Sequence, residues 1–341
     1  MNRLAFISYV DLAVSVLPVF VFLACLVFLD SYKLVKFRSI FLTILLGSLA
    51  GGACYFLNNW AIELLRLDAA VYRRYASPII EEFIKGMYIV YLIRSKRVGF
   101  MVDAAIYGFA TGAGFALVEN IFYVQSFPAL GIVVWIIRGF GTAIMHGGAT
   151  AIVGIISKNV SDRTSTENLQ AFLPGLLIAI ALHSFYNHFF FSPFVSTLLI
   201  LILLPIIMHL VFQQSENSLR HWLRVGFDTD QELLRMITSG NLSQTPVGTY
   251  LQSLQSTFRP EVVVDMVCYL RLHVELTIQA KGILLMRQAG FEVPSDPSVG
   301  EKFAELRALA KNIGQTGKLA ILPFLHTSGR ELWQMHMLRQ P

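Results

Sequence analysis

The sequence predicts an all-α membrane protein: a polytopic bundle of about seven transmembrane helices followed by a soluble helical domain. Three observations carry that expectation. Hydrophobic residues make up 55% of the chain and charged residues only 14%, against about a quarter charged in ordinary soluble domains. Apolar runs recur at lengths near or above the roughly 20 residues that cross the hydrocarbon region. From Gln213 onward those runs stop, and 13 Lys/Arg and 12 Asp/Glu are interspersed among apolar residues at helical spacing.

The predicted spans cover residues 5–29, 39–62, 76–93, 102–126, 129–157, 171–191 and 194–212, each a predominantly apolar stretch. The first has one basic residue, Arg3, before it and no small-residue cleavage pattern after it, so it reads as a retained span rather than a signal peptide. Residues 1–212 thus form the membrane domain and 213–341 a second domain. Helical periodicity in the second domain shows in QELLRMI, VDMVCYLRLHVEL and KFAELRALAK, punctuated at Gly240, Pro260, Gly290, Pro294 and Pro297. Its charges nearly cancel and its basic residues are scattered, which excludes the basic stripe of a nucleic-acid-binding surface. Cys25, Cys54 and Cys268 have neither metal-type nor disulfide-type spacing.

Lys and Arg in short connections favour the cytoplasmic side. With the N-terminus outside, the inner connections carry Lys33, Lys36, Arg38, Arg94, Lys96, Arg97, Lys158 and Arg163, and the outer ones Arg3, Arg66, Arg73 and Arg74. This count favours an outside N-terminus and a cytoplasmic C-terminal domain, with Arg73 and Arg74 as the opposing signal.

The third span breaks the apolar pattern. PIIEEFIKG, Pro78 to Gly86, puts Glu81, Glu82 and Lys85 within one turn and a half of helix. Each charged side chain at mid-span costs roughly 2.5–3.5 kcal/mol on insertion scales, so this turn is expected to face protein or a water-filled cavity. Lys85 lies four residues from Glu81 and three from Glu82; it can pair with either carboxylate, which leaves the other for chemistry. A structural ion pair is the competing explanation of this turn taken alone.

Further polar residues in other spans weigh against that explanation. The fourth span holds Glu119 and Asn120 after Gly108, Gly112 and Gly114, whose spacing suits close helix packing. The fifth holds Arg138 and His146, and the sixth holds His183 and Asn187 on one face with His188 off it. His188 and His209 are assigned structural roles. At a rise of 1.5 Å per residue, Glu81, Glu119 and His183 fall roughly 8–12 Å from the outer ends of their spans. Helices that independently deliver Glu, Glu, His and His/Asn to one half of the membrane point to a shared site.

In their order along the chain these residues resemble the PrsW family of intramembrane proteases. EEFIK (Glu81–Lys85) is similar to the family's Glu-Glu-x-x-Lys motif, FALVEN to its Phe-x-x-x-Glu-Asn motif, and HSFYN to its His-x-x-x-Asp/Asn motif; His146 matches an additional family histidine. The resemblance covers about residues 75–191 and implies a distant branch of the CAAX-protease and bacteriocin-processing superfamily. It implies a multi-pass plasma-membrane protease that cuts a membrane-anchored protein, such as an anti-sigma factor, near the outer face of the lipid bilayer.

Peptide hydrolysis needs a base for water, stabilisation of the developing oxyanion and an acid for the leaving amine. The expected assignment gives Glu81, or alternatively Glu82, the water proton and pairs the other with Lys85. His183 and Asn187 then face the scissile carbonyl, and Glu119 and His146 complete the cluster. Glu119, His146 and His183 are also a candidate zinc ligand set, although no His-Glu-x-x-His motif accompanies them; the metal-free alternative is glutamate chemistry with His183 and Asn187 as oxyanion donors. Two other readings remain: a proton- or ion-coupled transporter, since buried Glu, Lys and His also build proton relays, and a non-catalytic pseudoprotease that only binds membrane substrates. Against the transporter, the sequence shows no inverted repeat.

Overall fold

Helices account for the fold of the described residues, which contain no strand. The computed structural model describes residues 9–30, 32–164, 168–239, 242–291, 293–294, 296–325 and 329–339. Arg3, residues 5–8 of the first predicted span and Gly240 lie outside them. Two compact units divide the chain, Met1–Ser215 and Glu216–Pro341.

The first unit begins with α1 (Tyr9–Phe28) and α2 (Phe37–Leu65), which ends on Arg66 in the left-handed conformation. A single turn, α3 (Ala69–Val71), is capped by the Asp68 carboxylate, which accepts from the backbone N–H groups of Ala70 and Val71. It runs into a π-helical turn, Tyr72–Ala76, and then into α4 (Ser77–Arg94). Next come α5 (Met101–Ser126) and α6 (Ile132–Ile137), then a second π-helical segment, Arg138–Ala143, and α7 (Ile144–Thr164). A 3-10 turn, Leu169–Phe172, leads into α8 (Leu173–Asn187), and α9 is Pro193–Thr238.

Six stretches among the described residues are long and apolar enough to cross a membrane: Tyr9–Phe28, Phe37–Leu65, Met101–Ser126, Ile132–Arg163, Leu169–Asn187 and Pro193–Thr238. The seventh expected span, α4, is helical over 18 residues but is not among them. Glu81, Glu82, Lys85 and Arg94 explain the difference. The first three of these are buried by neighbouring helices, so α4 is sheltered by protein where its own composition does not suit lipid.

α2, α5, α7 and α8 all pack against α4, and among them α5 is buried at every residue from Met101 to Ala116. Glycine allows its neighbours to come close. A Cβ at Gly112 would overlap the His146 carbonyl on α7, and one at Gly114 would overlap the Ile44 carbonyl on α2, so α5 is pressed between α2 and α7. Gly112→Ala is therefore expected to destabilise the membrane unit by about 1–3 kcal/mol, the scale of overpacking in a close-packed interior. Thermal unfolding in detergent measures it. Gly52→Ala is the control, because nothing lies within 4 Å of its added Cβ, and it should leave the midpoint unchanged or raise it.

The second unit holds the C-terminal part of α9 together with α10 (Pro246–Ser253), α11 (Pro260–Gln288), α12 (Ser298–Ile321) and α13 (Gly329–Arg339). The predicted breakers lie at its joints: Pro260 sits in the first turn of α11, Gly290 follows its end at φ 83°, and Pro297 precedes α12. Leu272 and Leu276 of α11 pack with Phe303 and Leu306 of α12, while Met266 and Leu270 meet Ile313 and Ile321. Lys281 and Asp230 form a buried ion pair at 2.6 Å.

Candidate active site

On α4, adjacent residues point about 100° apart, and Glu81 and Glu82 accordingly enter different surroundings. Glu82 and Lys85 are both fully buried and joined at 2.6 Å between Lys85 Nζ and Glu82 Oε1. Lys85 Nζ also lies 3.2 Å from His146 Nδ1 and 4.7 Å from the centre of the Phe115 ring. The same Glu82 oxygen is 2.8 Å from His183 Nδ1. A carboxylate at Nδ1 accepts from Nδ1–H, keeps the proton on that nitrogen and leaves Nε2 with the free lone pair. In this way α4 sets both the orientation and the tautomer of a histidine delivered by α8.

Glu81 turns the other way. Its Oε1 accepts from Ser77 Oγ and, at 3.0 Å, from Asn58 Nδ2 on α2. Its Oε2 lies 3.8 Å from His183 Nε2, a gap too long for a direct hydrogen bond and wide enough for one bridging atom. Glu81, His146 and His183 have ligand atoms within 4.8 Å of one another, and all three residues are buried. The His146 and His183 rings stand edge to face at 4.7 Å.

Glu119 sits one contact outside that trio. Its Oε2 is 3.0 Å from His146 Nε2 and 3.2 Å from Arg138 Nη2. The arginine contact is an ion pair at that distance without hydrogen-bond alignment at Nη2. Arg138 also donates through Nε to Asn120 Oδ1 at 2.9 Å and covers the Tyr123 ring at 3.8 Å. It begins the π-helical segment between α6 and α7, an irregularity that re-aims side chains and is frequent at functional sites. Lys85, meanwhile, holds His146 from the Nδ1 side.

A cavity of about 840 Å³ opens onto these groups and is lined by Glu81, Glu119, Arg138, His146, His183 and Asn187 among others. Glu82 and Lys85 do not line it; they stand behind it. Of the site residues expected from sequence, five thus reach the cavity and two support it. Asn187 reaches it with its amide already engaged: Nδ2 donates to the Arg73 carbonyl at 3.0 Å. His188 stacks on Phe190 and contacts its own helix at Ser184 O. Sequence reasoning assigned no site role to Asn58, Tyr72, Ser77 or Arg138. For Arg138 a signal existed, because an arginine inside a span needs an anion. Tyr72 and Ser77 are ordinary residues at the starts of their elements, and Asn58 is an uncharged residue two turns inside α2.

The structure therefore brings Glu81, rather than Glu119, into the compact group with the two histidines. Glu119 meets His146 through the same oxygen that Arg138 holds in an ion pair. A family described as PrsW family intramembrane metalloprotease matches residues 36–212, just over half of the chain, from α2 into the first part of α9. No curated protein and no solved structure matches the chain.

Proposed function

The chain belongs to the PrsW family of intramembrane metalloproteases, and from that premise we propose that the cavity is where water hydrolyses a peptide bond of a membrane-anchored protein. The observation that carries this reading is the trio Glu81, His146 and His183 lining one cavity with Glu119 and Arg138. Family membership replaces the transporter alternative.

The trio fits a divalent cation of the zinc type. Glu81 has one oxygen held and the other facing His183 Nε2, His183 has Nδ1 held by Glu82, and a carboxylate with two imidazoles is a familiar catalytic donor set. Glu81, His183 and His146 would hold the ion; His146, whose Nδ1 faces Lys85 and whose Nε2 contacts Glu119, would give up that Glu119 contact and release its Nε2 proton on taking the role. When bound, such an ion supplies Lewis-acid polarisation of the carbonyl and lowers the pKa of water.

The protein's own groups do the rest. Glu119, released from His146, takes the proton of the attacking water on a carboxylate oxygen and returns it to the leaving amine, the same group serving as base and then acid. Arg138, at 3.2 Å, balances the charge on Glu119. Glu82 and Lys85 hold the two histidines from behind. Relative to the sequence expectation, Glu81 and Glu119 exchange roles.

The substrate in this reading is a membrane-anchored protein of the anti-sigma-factor kind, cut near the outer face of the plasma membrane. The N-terminus is outside, the C-terminal domain is cytoplasmic, and nucleic acid is not a partner. Support comes from the basic residues of the inner connections and from the position of most of the site toward one end of its helices, at the beginning of α4 and the ends of α5 and α8, with His146 nearer the middle of Ile132–Arg163.

The test uses purified protein in vesicles with a single-span substrate tagged on both sides. Wild-type protein should release the outer tag; Glu119→Gln should cut at least about 100-fold more slowly, the scale of general acid–base catalysis, while binding zinc as wild type does. Undiminished cleavage by Glu119→Gln overturns its role as base, and absence of cleavage by the wild type with every membrane-anchored substrate tried favours the pseudoprotease.

A further inference from the structure

Glu81 is supported by residues that belong to neither the trio nor the quoted motifs. Asn58, on α2, donates from Nδ2 to Glu81 Oε1 at 3.0 Å, and its own Oδ1 accepts from Tyr72 OH at 2.8 Å. The phenol fixes the sense of the amide: a hydroxyl donating to Oδ1 turns the NH₂ toward the carboxylate. Ser77 Oγ gives Glu81 Oε1 a second donor. Tyr72 is 1% exposed and Glu81 7%, so little water competes for these bonds.

Tyr72 is in turn held through its backbone. It opens the π-helical turn Tyr72–Ala76, and the next two carbonyls of that turn accept from α8: Arg73 O from Asn187 Nδ2 at 3.0 Å and Arg74 O from Ser184 Oγ at 2.6 Å. One sequence of contacts therefore leads from α8 through the π turn to Tyr72, then Asn58, then Glu81. It fills Oε1 and leaves Oε2 as the oxygen facing His183 Nε2. The helix that supplies His183 also braces the segment that orients Glu81.

We propose that Asn58 and Tyr72 are positioning residues that lock the Glu81 carboxylate in the rotamer presenting Oε2 to the two histidines, and that Asn187 acts by bracing the π turn rather than by touching the scissile carbonyl. This rests on the reading of Glu81, His146 and His183 as the metal-holding trio. The physical reason is preorganisation: partners that fix a ligand's orientation are typically worth 10–100-fold in affinity or rate.

The experiment titrates full-length protein with zinc alone and measures cleavage for Asn58→Leu, Tyr72→Phe, Glu81→Gln and the double variant Asn58→Leu/Glu81→Gln, with thermal midpoints alongside. Asn58→Leu should weaken zinc binding and lower kcat by about 10–100-fold, the range for lost outer-shell partners, with KM little changed. Tyr72→Phe, which removes one hydroxyl and decides the matter if Asn58→Leu misfolds, should produce a smaller loss of the same kind. On the Glu81→Gln background, Asn58→Leu should cost nothing further. Full zinc affinity and kcat in Asn58→Leu and Tyr72→Phe, or an undiminished further loss in the double variant, overturns the proposal. If Glu81→Gln itself binds zinc like the wild type, it is the trio that fails.

Discussion

Glu81→Gln is expected to lower cleavage by about 100-fold or more, because it removes a group acting at the reacting centre, while leaving the protein folded. The amide keeps the size of the side chain, and its nitrogen or oxygen can still meet Ser77 and Asn58. What it lacks is the anionic Oε2 facing His183 Nε2 at 3.8 Å. Glu82→Gln should behave differently, since Glu82 is fully buried and its Oε1 serves both Lys85 and His183. That change loosens the histidine and the lysine together, so lost activity should be accompanied by a lower thermal midpoint. Cleavage rates and unfolding in detergent for the two variants measure the contrast. A thermal midpoint unchanged in Glu82→Gln and depressed in Glu81→Gln would reverse the assignment of support and reacting group.

The largest effect on stability is expected from Lys85→Met. Removing one partner of a buried ion pair leaves an uncompensated charge and typically costs about 3–5 kcal/mol. Lys85 and Glu82 fit that case, with both side chains at 0% exposure and 2.6 Å between the charged atoms. The double variant Lys85→Met/Glu82→Gln should recover much of the loss, because replacing both charges removes the stranded carboxylate. It should not recover cleavage, since His183 Nδ1 then faces a neutral amide oxygen instead of a carboxylate. Thermal midpoints of the two proteins decide it: a double variant no more stable than Lys85→Met would mean that packing around Phe115, and not charge, sets the cost.

The free-energy cost of burying charge made much of this site legible in the sequence. Glu81, Glu82, Lys85, Glu119, His146 and His183 stand out because each interrupts an apolar stretch, and helical geometry was enough to suggest that they meet. What the linear pattern cannot give is the direction of each carboxylate. From sequence Glu119 reads as the carboxylate ligand and Glu81 as the base, whereas in the structure Glu81 stands with the two histidines and Glu119 pairs with Arg138 at 3.2 Å. Asn187 looked aimed at substrate until its amide was found on the Arg73 carbonyl. Tyr72 left no mark in the sequence, because a tyrosine near a helix end costs little and is common, and Asn58, two turns inside α2, is uncharged and costs less to bury than the carboxylates that draw attention. The same cost argument explains α4: the residues that reveal the site also keep that helix from reading as an ordinary span. In the second unit, leucine spacing and breakers prefigured α11 and α12, but nothing in either pattern names a ligand.

Metal content tests the central claim most directly. Full-length wild-type protein, Glu81→Gln, His183→Ala and Glu119→Gln are each equilibrated with zinc, freed of unbound ion and assayed for bound metal. The account predicts about one equivalent in the wild type and in Glu119→Gln and a sharp loss in Glu81→Gln and His183→Ala, because zinc affinity depends on a deprotonated donor at each ligand position. A full equivalent retained by Glu81→Gln, with the loss falling on Glu119→Gln instead, would contradict it.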